Sequence, residues 1–113
     1  MTGAMSRRKG ATYALTIRRW FETRGWQCIA RQAGEDGDDL ILLDASWLSI
    51  EIKNQARINL AGWMAQAVRQ AGHRTPIVIH KRHGITAPED QWVTLRLADF
   101  EALIKAKEAT TNH

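Results

Sequence analysis

The sequence predicts an α/β domain, a central mixed sheet flanked by helices, and three observations carry that prediction. Between residues 7 and 24, Tyr13, Ile17, Trp20 and Phe21 recur at helical spacing, with Arg18, Arg19 and Arg24 off that stripe. Two short runs rich in Leu and Ile, 39–43 and 47–53, flank a tight turn and read as the arms of a hairpin. A second helical stretch, 60–71, leads at once into the apolar run Pro76-Ile77-Val78-Ile79, which suits a buried strand.

Each element has its own start and stop signals. Residues 1–6 are expected to be a disordered start, and the first helix runs from about Arg7 to Arg24. Gly25 ends it, because a glycine just past the last turn can take the left-handed conformation that closes a helix. Residues 26–31 read as a first strand with Cys28 in its core-facing row, and 33–38 as a Gly/Asp loop. The second strand follows at 39–43, a turn at 44–46, and the third strand at 47–53. Asn59 is a plausible N-cap for the helix 60–71, which Gly72 closes. Residues 75–80 form the fourth strand, 81–90 a loop punctuated by Gly84 and Pro88, and 91–97 a last strand. A final helix opens at Ala98 or Asp99 and runs to about Lys107, with 109–113 as a disordered tail. The order is α-β-β-β-α-β, then β-α, in one domain over 7–108.

Bulk properties bound the function. The chain has 113 residues, room for one modest core, and its 44% hydrophobic and 25% charged content is ordinary for a soluble domain. No apolar run approaches a membrane span, and the start carries no signal-peptide pattern, so no membrane partner and a cytoplasmic setting are expected. Cys28 is the only cysteine, and His73, His80, His83 and His113 are too scattered for a zinc site. The net charge of +4 is segregated: residues 1–31 hold seven Lys/Arg against Glu22, and residues 32–55 hold six acids against Lys53. A basic envelope around an acidic centre suits an enzyme acting on nucleic acid, the cations holding phosphates and the carboxylates a metal. Solvated helix and loop charges account for the same segregation.

The acidic centre has a specific spacing. Alternation along a strand puts Glu51 and Lys53 on one face, and a hairpin linking 39–44 to 47–53 returns Asp39 beside them. Two hard oxygen ligands suit Mg²⁺, with Mn²⁺ as a substitute, and an adjacent ammonium can orient the attacking water. The backbone carbonyl of Ile52 lies between Glu51 and Lys53 and is a further candidate ligand. Asp38 reads as a loop acid that reaches a metal only through water. An exposed cross-strand ion pair is the plain alternative for all three side chains.

With the order of elements, these motifs resemble the PD-(D/E)XK nuclease superfamily, whose restriction-endonuclease-like core is an αβββαβ sandwich. Within it the chain is most similar to the archaeal-type and phage Holliday junction resolvases. Arg8-Lys9-Gly10, then Tyr13 and a basic helix ending Arg24-Gly25-Trp26, looks like the N-terminal motif of those enzymes. Asp38-Asp39-Leu40-Ile41 looks like their metal-binding acid before an apolar strand, and Glu51-Ile52-Lys53 like their E-x-K. The likeness spans about residues 7–80. It departs at Ala14, where the resolvases carry a metal-binding glutamate, and Glu22 lies about two turns further along, off that face.

The resemblance implies a Mg²⁺-dependent endonuclease with Asp39 and Glu51 as metal ligands and Lys53 as catalytic base or water-orienting group. It also implies a place for Gln66, since branches of the superfamily carry a glutamine on this helix beside the site; an ordinary polar helix position is the alternative. Arg7, Arg8, Lys9, Arg18, Arg19, Lys81 and Arg82 are the candidate phosphate contacts, and without a base-reading module the expected recognition is of DNA shape. The implied substrate is a four-way junction cut by paired symmetric nicks, which calls for a two-fold homodimer in a prokaryotic or phage-infected cell. A nuclease of the same fold acting on flap, nicked or duplex DNA is the alternative, and an inactive branched-DNA-binding subunit the third reading. Of the five tryptophans, Trp20 and Trp26 are expected in the core; at least one of Trp47, Trp63 and Trp92 is a candidate for a subunit interface, with core packing the commoner role for any single one.

Overall fold

The computed structural model describes residues 3–31 and 37–111, with side chains from Arg8 onward. Most of the loop expected over 33–38 therefore lies outside the described residues, as do Met1, Thr2, Asn112 and His113. The elements follow in the expected order: α1 (Gly3–Thr23), β1 (Cys28–Ala30), β2 (Leu40–Leu42), β3 (Leu48–Lys53), α2 (Leu60–Ala71), β4 (Thr75–His80), β5 (Trp92–Thr94) and α3 (Leu97–Thr111). Single 3-10 turns lie at Leu43–Ala45 and Pro88–Asp90.

The strands form one mixed sheet in chain order, β1-β2-β3-β4-β5. All neighbours are antiparallel except β3 and β4. That single parallel pair is the one joined through a helix, α2, because parallel neighbours cannot be linked by a tight turn. Period-two alternation divides the sheet into two faces. On one face Leu40, Leu42, Ile50, Ile77 and Ile79 pack with Tyr13 and Ile17 of α1. On the other, Val78 packs with Trp63 and Ala67 of α2. Glu51 and Lys53 alternate with Ile50 and Ile52 along β3, so the acid and the ammonium belong to the α2 face.

Helix ends carry the signals that the sequence offers. The N–H of Gly25 bonds the Glu22 carbonyl at 3.1 Å and that of Trp26 the Phe21 carbonyl at 3.1 Å, a Schellman closure around a glycine at φ 93°. Asn59 caps α2 by accepting from the Gly62 N–H at 3.1 Å, and Gly72 at φ 60° ends it.

Where the structure differs from expectation, the cause is local bonding. β1 starts at Cys28 and not at Trp26, because the Trp26 N–H is already used to close α1. β5 stops at Thr94 because the next residues start α3, whose first turn closes with the Phe100 N–H on the Arg96 carbonyl at 3.0 Å. α1 already runs from Gly3, inside the segment expected to be a disordered start. α3 extends into the expected tail, Thr110 and Thr111 donating to the carbonyls one turn back. The tryptophans are redistributed: Trp63 is the one in the core, at 5% exposure, because α2 covers the second sheet face. Trp26 is exposed just past the helix closure, and Trp47 and Trp92 are exposed as well.

Candidate active site

Asp39 stands at the start of β2, and its backbone N–H donates to the Ile50 carbonyl at 2.9 Å. The hairpin thereby brings its carboxylate to the Glu51–Lys53 end of β3, where Oδ2 accepts the Ile52 N–H at 2.8 Å. Ile52 thus meets Asp39 through its backbone, while its side chain packs into the α1-side core. The other Asp39 oxygen, Oδ1, takes the Arg31 guanidinium at 2.5 Å.

Glu51 is 1% exposed, and among the described residues no group donates to its Oε1. A lone carboxylate in such a place is costly, because burial removes water without supplying a donor. Burial first, and then the charge and side-chain contact of Asp39, push the Glu51 carboxyl up to about 7, against the opposing pull of Lys53 and Arg31. Two carboxylates thus share one partly dry corner with two cations, Arg31 on Asp39 and Lys53 one alternation beyond Glu51.

Lys53 lies one alternation beyond Glu51 and donates from Nζ to Gln66 Oε1 at 3.1 Å. Gln66 sits on α2 one turn past Trp63, so the helix that covers this face also delivers the amide that holds the ammonium. Asp39, Glu51, Ile52, Lys53 and Gln66 are therefore brought to one place. His80 lies beside Lys53 in the β3–β4 register. It is buried, its Nε2 bonds Thr94 Oγ1 at 2.8 Å, and burial lowers its pKa.

Asp38 has a different job from its neighbour. It accepts from Ser49 Oγ at 2.8 Å and from both terminal nitrogens of Arg74, at 2.6 and 3.1 Å, so it ties β2 to β3 and to the start of β4. The loop acid of the sequence reading is a buried structural one. Glu22 pairs with Arg18 at 3.8 Å on the exposed side of α1, far along the helix from Ala14, and brings no carboxylate to the site. Among the described residues no three His, Cys, Asp or Glu side chains cluster as a metal cage. The oxygen set is two carboxylates plus backbone.

The candidate phosphate contacts divide. Arg8, Lys9 and Lys81 line a cavity of about 530 Å³ with Tyr13, Pro88 and Asn54, so it adjoins the residue after Lys53. Lys81 donates to the carbonyls of Arg82 and Ile85, and Arg82 stacks on Trp92 at 4.7 Å while donating to the Asp90 carbonyl. Both cations are engaged in shaping their own loop. Arg19 is exposed on α1, Arg18 is directed to Glu22, and the Arg7 side chain lies outside the described residues.

Sequence reasoning missed Arg31 and Arg74. Arg31 was legible in principle, since pairing Ala30 with Leu40 sets residue 31 opposite residue 39. Arg74 reaches Asp38 from the far side of a parallel crossover, which no local pattern reveals. Comparison with protein-family models, curated proteins and solved structures finds no match for this chain.

Proposed function

We propose that this protein is a metal-dependent endonuclease that cuts branched DNA, a Holliday junction resolvase in the manner of the PD-(D/E)XK enzymes it resembles. The observation that carries the reading is the convergence of Asp39, Glu51 and Lys53 at neighbouring strand ends, with Gln66 holding the lysine. The donor set fits a hard divalent cation: two carboxylates, one with a buried oxygen that no group among the described residues satisfies. Asp39 and Glu51, with the Ile52 carbonyl as a further oxygen, would hold Mg²⁺ or Mn²⁺, which would supply polarisation of the scissile phosphate and a more acidic water.

The chain's own residues do the rest. The Ile52 N–H fixes the Asp39 carboxylate against β3. Gln66 orients the Lys53 ammonium, which positions the attacking water and meets the charge that develops on the phosphate. Arg8 and Lys9 at the rim of the neighbouring cavity supply sequence-independent grip on the backbone.

Cleavage of a labelled immobile four-way junction, with duplex and flap controls, tests the reading with and without Mg²⁺ or Mn²⁺. Wild type is expected to make paired nicks, and Lys53→Met to lose on the order of 10³ in rate while still binding the junction, the scale of removing one preorganised electrostatic group. Equal cutting of every substrate supports the broader nuclease reading. The lack of an acid on α1 at Ala14 favours a third one, and junction binding without cutting in any metal is its signature.

Two matched cuts need two copies, and the chain carries a surface suited to a second copy. α3 buries no residue, and Leu97, Phe100, Leu103 and Ile104 form an exposed stripe on it, Leu97 at 82% exposure. A bare apolar stripe of this kind is what the core of a two-fold interface covers. Sedimentation should show a dimer for wild type, and a folded monomer for Phe100→Glu combined with Ile104→Glu. A monomeric wild type, or a variant that still dimerises, removes α3 as the interface.

A further inference from the structure

We propose that Arg31 is a two-position residue of this site: it holds Asp39 in the metal-free protein and turns to the substrate's phosphate once a divalent cation takes Asp39. The inference rests on the nuclease reading and adds a residue to it.

The geometry makes Arg31 and a cation competitors for one atom. Asp39 gives Oδ2 to the backbone of β3 and Oδ1 to Arg31. A cation shared between Asp39 and Glu51 that draws on Oδ1 lands against the guanidinium held there, and displacing that side chain disturbs less than displacing the β3 contact. Arg31 can leave without unpacking anything. Its side chain is 30% exposed, it lies just past the end of β1, and among the described residues its other side-chain anchor is the bond from Nη1 to the Gly37 carbonyl at 2.8 Å.

Charge then sets the direction of the move. Asp39 and Glu51 carry two negative charges when ionised, and Arg31 and Lys53 two positive ones. Adding a divalent cation leaves the cluster with a net positive charge, which repels the guanidinium from Asp39. The phosphodiester being cut is the anion that the freed guanidinium then meets. A guanidinium presents a planar fork that matches two phosphate oxygens, which a lysine at this position lacks. A plain cross-strand ion pair, by contrast, has no second position and gives DNA affinity no dependence on metal.

The test separates this from the parent reading. Mn²⁺ binding followed by electron paramagnetic resonance should be about ten-fold tighter in Arg31→Ala than in wild type, because the cation no longer breaks a charge-assisted bond. In a Lys53→Met background, which binds without cutting, four-way-junction affinity is measured with and without Mg²⁺. Arg31→Ala should lower it about ten-fold with Mg²⁺ and little without. Arg31→Lys, which keeps the charge but not the fork, should restore only part of the Mg²⁺-dependent gain. Circular dichroism melts check that each variant is folded. Unchanged Mn²⁺ affinity, or an equal loss of DNA affinity with and without Mg²⁺, overturns the two-position role and leaves the nuclease reading standing. Absence of Mn²⁺ binding in both wild type and Arg31→Ala overturns both.

Discussion

Replacing Glu51 with glutamine is expected to abolish metal-dependent cleavage and, at pH 8 without metal, to make the protein more stable than wild type. The two effects share one cause. Glu51 is 1% exposed, one of its oxygens has no donor among the described residues, and its carboxyl is pushed from an ordinary 4.5 up to about 7. A carboxyl whose folded pKa is raised binds more protons folded than unfolded. Its contribution is therefore fully present below about pH 4.5 and is lost as pH rises through about 7. The span between those two values corresponds to roughly 3 kcal/mol. Wild type should lose on that order between pH 5 and pH 8 in metal-free urea melts, beyond any change in Glu51→Gln, whose amide stays neutral. Mg²⁺ should restore the loss in wild type at pH 8 and do nothing for the variant. Parallel pH profiles for the two chains would mean that Glu51 is not the buried charge the geometry describes, and the metal assignment would lose its main physical support.

This arrangement also shows what a sequence can and cannot disclose. The pairing of Glu51 with Lys53 follows from strand alternation, and the return of Asp39 beside them follows from a hairpin whose arms are visible as apolar runs. The bounds of α2 are legible because Asn59 and Gly72 have side-chain and backbone chemistry suited to ends. Burial is harder to read. Trp26 is exposed where a core place was expected and Trp63 is buried, because exposure depends on which helix covers which face of the sheet, and α2 brings Trp63 onto Val78. Partners across the fold were hidden for the same reason. Arg31 and Arg74 look alike in the chain, yet one meets the acid of the site and the other an acid of the scaffold.

That distinction yields the second large effect, because Asp38 and Asp39 are neighbours with opposite duties. The Asp38 side chain is 2% exposed and is neutralised by Arg74, with Ser49 filling one more acceptor site. Arg74→Ala leaves a buried carboxylate without its cation and should cost about 3 kcal/mol or more. Asp38→Asn should cost less, since the half-exposed guanidinium can rehydrate and the amide oxygen still accepts from Ser49. Both variants, where folded, should keep cutting and binding Mn²⁺, because neither group reaches Glu51 or Lys53. Asp39→Asn should do the reverse. Its amide oxygen still accepts the Ile52 N–H, and loss of its charge relieves Glu51, so the fold should hold while metal binding and cleavage disappear. Urea melts beside Mn²⁺ titrations on the three variants separate the two duties. A folded, inactive Asp38→Asn with an active Asp39→Asn would reverse them, and would move the candidate site one residue back along the chain to the pocket of Arg74.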